Sequence, residues 1–184
     1  MWGGEPKFYE CLFENEFFPT IDHLESLVDE NTVAILYNFP SNPTGATITV
    51  EQRDELLAFA QKHDLWIITD EVYDRIVFDS EHVSFVGCDD ERVILINSFS
   101  KTYAMTGWRI GYILSANKEA MSQMIKVQYY ITACSNDAMQ YAVLTAINEA
   151  DDYPDEMCAE FKARRDLICT RLNAMPGVEC HVPE

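Results

Sequence analysis

Three short apolar runs recur along the chain: Val33-Ala-Ile-Leu-Tyr37, Leu65-Trp-Ile-Ile-Thr-Asp70 and Val93-Ile-Leu-Ile96. The first is continuously apolar, the pattern of a strand buried on both faces, and the other two read as further strands, the second with polar last residues. A helix signal separates the first two. Thr49 and Gln52 have the spacing of a capping box, and Leu56, Leu57, Phe59 and Ala60 supply a buried face. Strands alternating with helices predict an α/β domain around a mostly parallel sheet. The run Ile110-Gly-Tyr-Ile-Leu114 follows Ser98 without a crossover helix, so it is expected to run antiparallel and make the sheet mixed. Phe8–Leu12 reads as a short strand and Ile21–Val28 as a helix. Longer helices are expected over 117–131, 136–150 and 154–174, the last with Pro154 in its first turn. The break Asp151-Asp-Tyr-Pro154 divides the chain into a domain over 1–150 and a linking helix with the start of a second domain over 151–184.

Composition narrows the function. The 184 residues are 48% hydrophobic, enough for a sizeable core, and carry a formal net charge of −18. That excess of carboxylates repels phosphate backbones and anionic lipid, which argues against nucleic-acid or membrane-surface partners. No apolar run reaches transmembrane length, and Met1-Trp-Gly-Gly-Glu5 lacks the basic and apolar regions of a signal peptide. The expected location is the cytoplasm. Cysteines 11, 88, 134, 158, 169 and 180 are scattered, without a C-x-x-C pair, and read as reduced, mostly buried thiols. His23, His63, His82 and His181 lack metal-ligand spacing, so no metal is expected.

Polar residues cluster after each strand, where ligands bind in open α/β sheets. They are Asn42 in Asn-Pro-Thr-Gly45, Asp70 with Tyr73, Ser98 with Ser100 and Lys101, and Arg109 beyond them. Singly, each has an ordinary reading. Asn-Pro-Thr-Gly suits a turn, Asp70 a cap, Lys101 the surface, and Arg109 an ion pair with Asp70 or Asp74. Jointly they meet the needs of pyridoxal 5'-phosphate: an amine for its aldehyde, a carboxylate for its ring nitrogen, an amide and a phenol for its ring oxygen, and hydroxyls with an arginine for its phosphate.

Ser41-Asn-Pro-Thr-Gly45, Asp70-Glu-Val-Tyr73 and Ser98-Phe-Ser-Lys-Thr-Tyr-Ala-Met-Thr-Gly-Trp-Arg109 resemble the class I/II, fold-type I aminotransferases, most nearly the aspartate/aromatic branch. The likeness covers nearly the whole chain. It implies a pyridoxal-phosphate-binding large domain over 1–150, Lys101 as the Schiff-base lysine and Asp70 as the ring-nitrogen partner. Asn42 and Tyr73 would contact the ring oxygen; Ser98, Ser100 and Arg109 would hold phosphate. It also implies amino acid and 2-oxo acid substrates and a homodimer.

Members of that family extend further at both ends. Upstream they carry a phosphate-binding loop and an aromatic that stacks on the cofactor ring; downstream they carry an arginine for the substrate carboxylate. The chain thus reads as an internal fragment, with little activity of its own expected. Arg164, Arg165 and Arg171 read as a solvated helix face, and Tyr103, Trp108, Tyr129 and Tyr130 as packing residues. Two other functions fit the same motifs: a pyridoxal-phosphate-dependent carbon–sulfur β-lyase and a non-catalytic remnant of an aminotransferase.

Overall fold

The computed structural model describes residues 3–184. Its centre is a 4-stranded sheet of β1 (Ala34–Asn38), β2 (Trp66–Asp70), β3 (Val93–Ser98) and β4 (Gly111–Leu114), in spatial order β1-β2-β3-β4. The first three strands are parallel, and β4 pairs antiparallel with β3. The helices are α1 (Ile21–Leu27), α2 (Val50–Lys62), the one-turn α3 (Phe99–Thr102), α4 (Lys118–Thr132), α5 (Asp137–Glu149) and α6 (Tyr153–Asn173). The mixed sheet and the helix positions agree with the sequence expectation.

Local chemistry explains several boundaries. The Thr49 side chain accepts from the Gln52 backbone and the Gln52 side chain accepts from the Thr49 backbone, completing the capping box of α2. Asn117 and Asn136 cap α4 and α5 through their side-chain oxygens, and Pro154 sits in the first turn of α6. The main core fills one face of the sheet. Tyr37, Ile67 and Val93 point into it and meet Leu56, Phe59 and Ala60 of α2, with Leu24 and Phe85 closing its rim. Tyr37 is fully buried and stacks on Phe85 with ring centroids 5.8 Å apart. A second cluster packs Val143 of α5 against Met105 and Ile110, supported by Phe99 and Tyr103. It seats the segment between β3 and β4, which carries Lys101.

Several expectations require correction. Phe8–Leu12 is not a strand; it runs outside the sheet, held partly by the Tyr9 hydroxyl donating to Leu36 O at 2.9 Å. β1 is not buried on both faces: it is an edge strand and Leu36 is 55% exposed. An apolar run reports what a strand prefers to meet, while its position in the sheet sets what it does meet. Only Cys169 among the cysteines is buried; Cys134 is exposed and the others are half-buried, all as free thiols. Arg165 is buried rather than solvated. It pairs with Asp79 and Asp166 and donates to Pro183 O at 2.7 Å. Trp108, Tyr129 and Tyr130 are exposed rather than packed, whereas Tyr103 packs on Phe99 as expected.

Leu56→Ala should destabilise the chain by about 2–5 kcal/mol, because a fully buried side chain leaves a cavity under the sheet. Tyr130→Ala, at a fully exposed ring, should stay within about 0.5 kcal/mol of the parent. Denaturant unfolding of the two variants checks the contrast.

Candidate functional site

The parallel register aligns the ends of three strands. Asn38 lies opposite Asp70, Asp70 opposite Ile96, and Ser98 opposite Gly111 of β4. The loops leaving these ends therefore start from one edge. The turn after β1 closes with Gly45 N donating to Ser41 O and Ser41 N donating to Ala46 O, each at 2.8 Å. Asn38 ties this turn to its neighbour: its Oδ1 accepts from Asn42 N at 2.8 Å, while its Nδ2 donates to Asp70 O at 3.1 Å.

The turn brings Asn42 to Tyr73, whose hydroxyl accepts from Asn42 Nδ2 at 3.2 Å. Lys101 Nζ stands 5.4 Å from the centroid of the same Tyr73 ring. Asn42, Tyr73 and Lys101, from loops after three different strands, thus form one cluster. Asp70 lies at the end of β2, and its Oδ1 accepts from Val72 N at 3.3 Å. Ser98 precedes α3, and its side chain accepts from Ser100 N at 3.4 Å. Arg109 is exposed in the left-handed region at φ 57°, donating to Thr106 O at 2.8 Å. The ion pair considered for it with Asp70 or Asp74 is not formed among the described residues.

Residues that the sequence reading did not assign to a ligand hold this cluster together. Asp74 accepts from Asn97 Nδ2 at 3.0 Å and from Thr102 Oγ1 at 3.3 Å, joining the loop after β2 to the helical turn carrying Lys101. Asn97 Oδ1 in turn accepts from Ser98 N at 2.6 Å. Gly111 admits β4 to this end of the sheet, since a Cβ there would lie 2.8 Å from Asn97 O. The available signal was position alone: Asn97 lies one residue before the end of β3 and Asp74 follows Tyr73 directly.

Next to Asp70, Glu71 turns into the interior and is 2% exposed. It accepts from Thr69 Oγ1 at 3.1 Å and Phe85 N at 3.0 Å, and pairs with His82 Nε2 at 2.8 Å. Burial works to raise the Glu71 pKa. Hydrogen bonds from His82, Ser84 and the Phe85 backbone outweigh it and leave the carboxyl below its ordinary value. Asp70 and Tyr73 are thereby flanked by an anchored residue.

The unpaired cations suit an anionic ligand. Ion pairs engage Lys7, Arg53, Lys62, Arg75, Arg92, Lys162, Arg164 and Arg165, but not Lys101, Arg109, Lys118, Lys126 or Arg171 among the described residues. In a chain of net charge −18, two cations near one sheet edge without carboxylate partners are available to an external anion. Asp70 Oδ2 is likewise without a hydrogen-bond partner among the described residues. A cavity of about 260 Å³ opens beside the cluster, lined in part by Asn42, Tyr73, Ile76 and Pro183. No group of histidine, cysteine and carboxylate side chains suited to a metal ion occurs among the described residues.

Comparison with solved structures gives the class first. The crystal structure of aspartate aminotransferase from Thermotoga maritima matches with a TM-score of 0.90 at 38% identity, covering 99% of this chain and 48% of that one. Alanine aminotransferase from Pyrococcus furiosus matches with a TM-score of 0.91 at 33% identity, over 100% of this chain and 48% of that one. The fold is that of the fold-type I transferases. Residues 1–184 match the family Aminotransferase class I and II, and the chain belongs to that family. Among curated relatives, aromatic-amino-acid aminotransferase 2 of Thermococcus litoralis is 40% identical over 178 residues, which is 94% of this chain and 46% of the relative. The chain spans about half the length of the curated relatives it matches.

Glu71 also predicts a pH effect. Its folded pKa is depressed, so its stabilising contribution is present above the unfolded value of about 4.3 and lost as pH falls through the folded value. The stability difference between the parent and Glu71→Gln should therefore shrink as pH falls from 6 to 3. Urea unfolding at successive pH values measures it.

Proposed function

We propose that this chain carries the lysine-centred part of a pyridoxal-phosphate-dependent aminotransferase site. The activity is transfer of an amino group between an amino acid and a 2-oxo acid. The observation that carries the reading is the convergence of Lys101, Tyr73 and Asn42 from loops after three strands, on the sheet edge where Asp70 ends β2. The names of the relatives, aspartate, aromatic-amino-acid and alanine aminotransferases, support amino-group transfer.

In this reading each side chain has a separate task. The Lys101 amine would hold the cofactor covalently and would move the proton at the substrate α-carbon. Asp70 holds a proton on the ring nitrogen, which keeps the ring able to accept electron density, the chemistry the cofactor supplies. The Asn42–Tyr73 pair provides donors to the ring oxygen, with the tyrosine placed by its hydrogen bond from Asn42. Ser98, Ser100 and Arg109 hold phosphate, the arginine fork matching its oxygens. The Asp74–Asn97–Thr102 bonds keep the lysine loop registered with the tyrosine loop.

The same reading makes residues 1–150 the cofactor-binding domain and 151–184 the linking helix with the start of a smaller domain. It includes homodimeric assembly, supported by exposed apolar residues on α4 and α5 such as Ile125, Tyr129 and Leu144. A cytoplasmic location is supported by six free thiols; no helix among the described residues is long and apolar enough to cross a membrane.

Titration with pyridoxal 5'-phosphate should produce a new near-ultraviolet to visible absorption band, and borohydride should then fix the cofactor's mass on Lys101. Lys101→Ala should abolish both signals. Arg109→Ala should weaken cofactor binding about 10- to 100-fold, the worth of a hydrogen bond to a charged group. A fixed adduct on another lysine, or binding indifferent to both changes, would overturn the site. Pyruvate release from a cysteine conjugate without any oxo-acid requirement would assign lyase chemistry instead.

A further inference from the structure

The C-terminal segment folds back after α6. Val178 N donates to Met175 O at 3.2 Å across a turn in which Gly177 takes a φ of +75°. Asn173 grips the returning segment at both backbone groups of Cys180: its Oδ1 accepts from Cys180 N at 2.7 Å and its Nδ2 donates to Cys180 O at 3.2 Å. This clamp puts Cys180 against Cys169 of α6, with the two Sγ atoms 3.9 Å apart. Cys169 is 6% exposed and Cys180 is partly exposed, so a reagent would meet Cys180 first.

Beyond the pair the segment is tied to the turn after β1. Arg165 donates to Pro183 O at 2.7 Å, Glu184 N donates to Gly45 O at 3.3 Å, and Thr47 Oγ1 donates to Glu184 Oε2 at 2.7 Å. Pro183 sits so close to Gly45 that a Cβ there would lie 2.4 Å from its side chain. Gly45 also takes a φ of +72°, so glycine serves both conformation and contact. Pro183 and Glu184 form one wall of the cavity that Asn42 and Tyr73 line.

We propose that Cys169 and Cys180 are a dithiol modification site: a small-molecule disulfide oxidises them to a cross-link that locks residues 178–184 against the turn carrying Asn42. Cys180, as thiolate, attacks the disulfide, forms a mixed disulfide and expels one thiolate. Cys169 then loses its proton and attacks Cys180 Sγ, expelling the second. The protein gives up two electrons and two protons, and the small disulfide becomes two thiols. Burial, followed by the Cys180 hydrogen bond, raises the Cys169 pKa and disfavours it as the first attacker, whereas its 3.9 Å separation from Cys180 Sγ serves the second, intramolecular step. The thiol chemistry is independent of the cofactor reading; only its consequence for the Asn42 and Tyr73 wall rests on that reading.

The test uses the reduced 184-residue chain incubated with oxidised glutathione, alkylated, digested and mapped by mass spectrometry. The expected product is an intramolecular Cys169–Cys180 cross-link. Hydrogen exchange across 178–184 should slow by at least about tenfold, since closing this short loop removes freedom from the opened state. Cys169→Ser should stop at a glutathione adduct on Cys180, and Cys180→Ser should leave Cys169 unmodified. A stable glutathione adduct on Cys180 of the parent chain, a preferred cross-link to Cys134 or Cys158, or unchanged exchange in the cross-linked chain would overturn the proposal.

Discussion

The parallel pairing of β1, β2 and β3 is the constraint on which the rest depends. It puts Asn38 opposite Asp70 and Asp70 opposite Ile96, so that loops distant in sequence start from one edge. The common edge shared by the loops carrying Asn42, Tyr73 and Lys101 follows from that alignment. Asn38 bonds both to the turn after its own strand and to the end of the next. A slip of one residue would send each strand's apolar set to the opposite face and disperse the polar ends, so the core under the sheet and the site at its edge enforce the same register.

Buried polar groups convert that alignment into fixed side-chain positions. Asp74 joins Asn97 and Thr102, and Glu71 joins Thr69, Phe85 and His82. An unpaired group at either place would carry a desolvation cost of about 1–3 kcal/mol, so each network favours one arrangement of its loops. The two networks lie on either side of Tyr73 in the chain, and Tyr73 is the ring that both Asn42 and Lys101 approach. The short segment Asp70–Asp74 therefore combines proposed ligand contacts with its own anchorage.

Much of this was legible in the sequence, for identifiable reasons. The Thr49–Gln52 box forms because capping is a contact between residues three apart. The antiparallel β4 follows from the missing crossover helix between Ser98 and Gly111. Misreadings arose where the outcome depended on distant partners. Phe8–Leu12 has apolar and aromatic residues suited to a strand, yet it runs outside the sheet. Arg165 shares its helix with exposed Arg164, yet the arrival of Asp79 and Pro183 buries it. Tyr129 and Tyr130 have the side chains of a core and stand exposed.

By itself the sequence determined the order of strands and helices, the caps and turns, and which chemical groups stand after each strand. Those follow from periodicity and short-range hydrogen bonding, which neighbouring residues decide among themselves. Tertiary structure alone decided that Tyr73 is the meeting point of Asn42 and Lys101, and that Asp74 partners Asn97 and Thr102 rather than Arg109. It also set Cys180 beside Cys169, although their spacing carried no motif. Contacts across a sheet edge or a folded-back segment depend on strand register and packing, and no local pattern of residues encodes the distance between two loops.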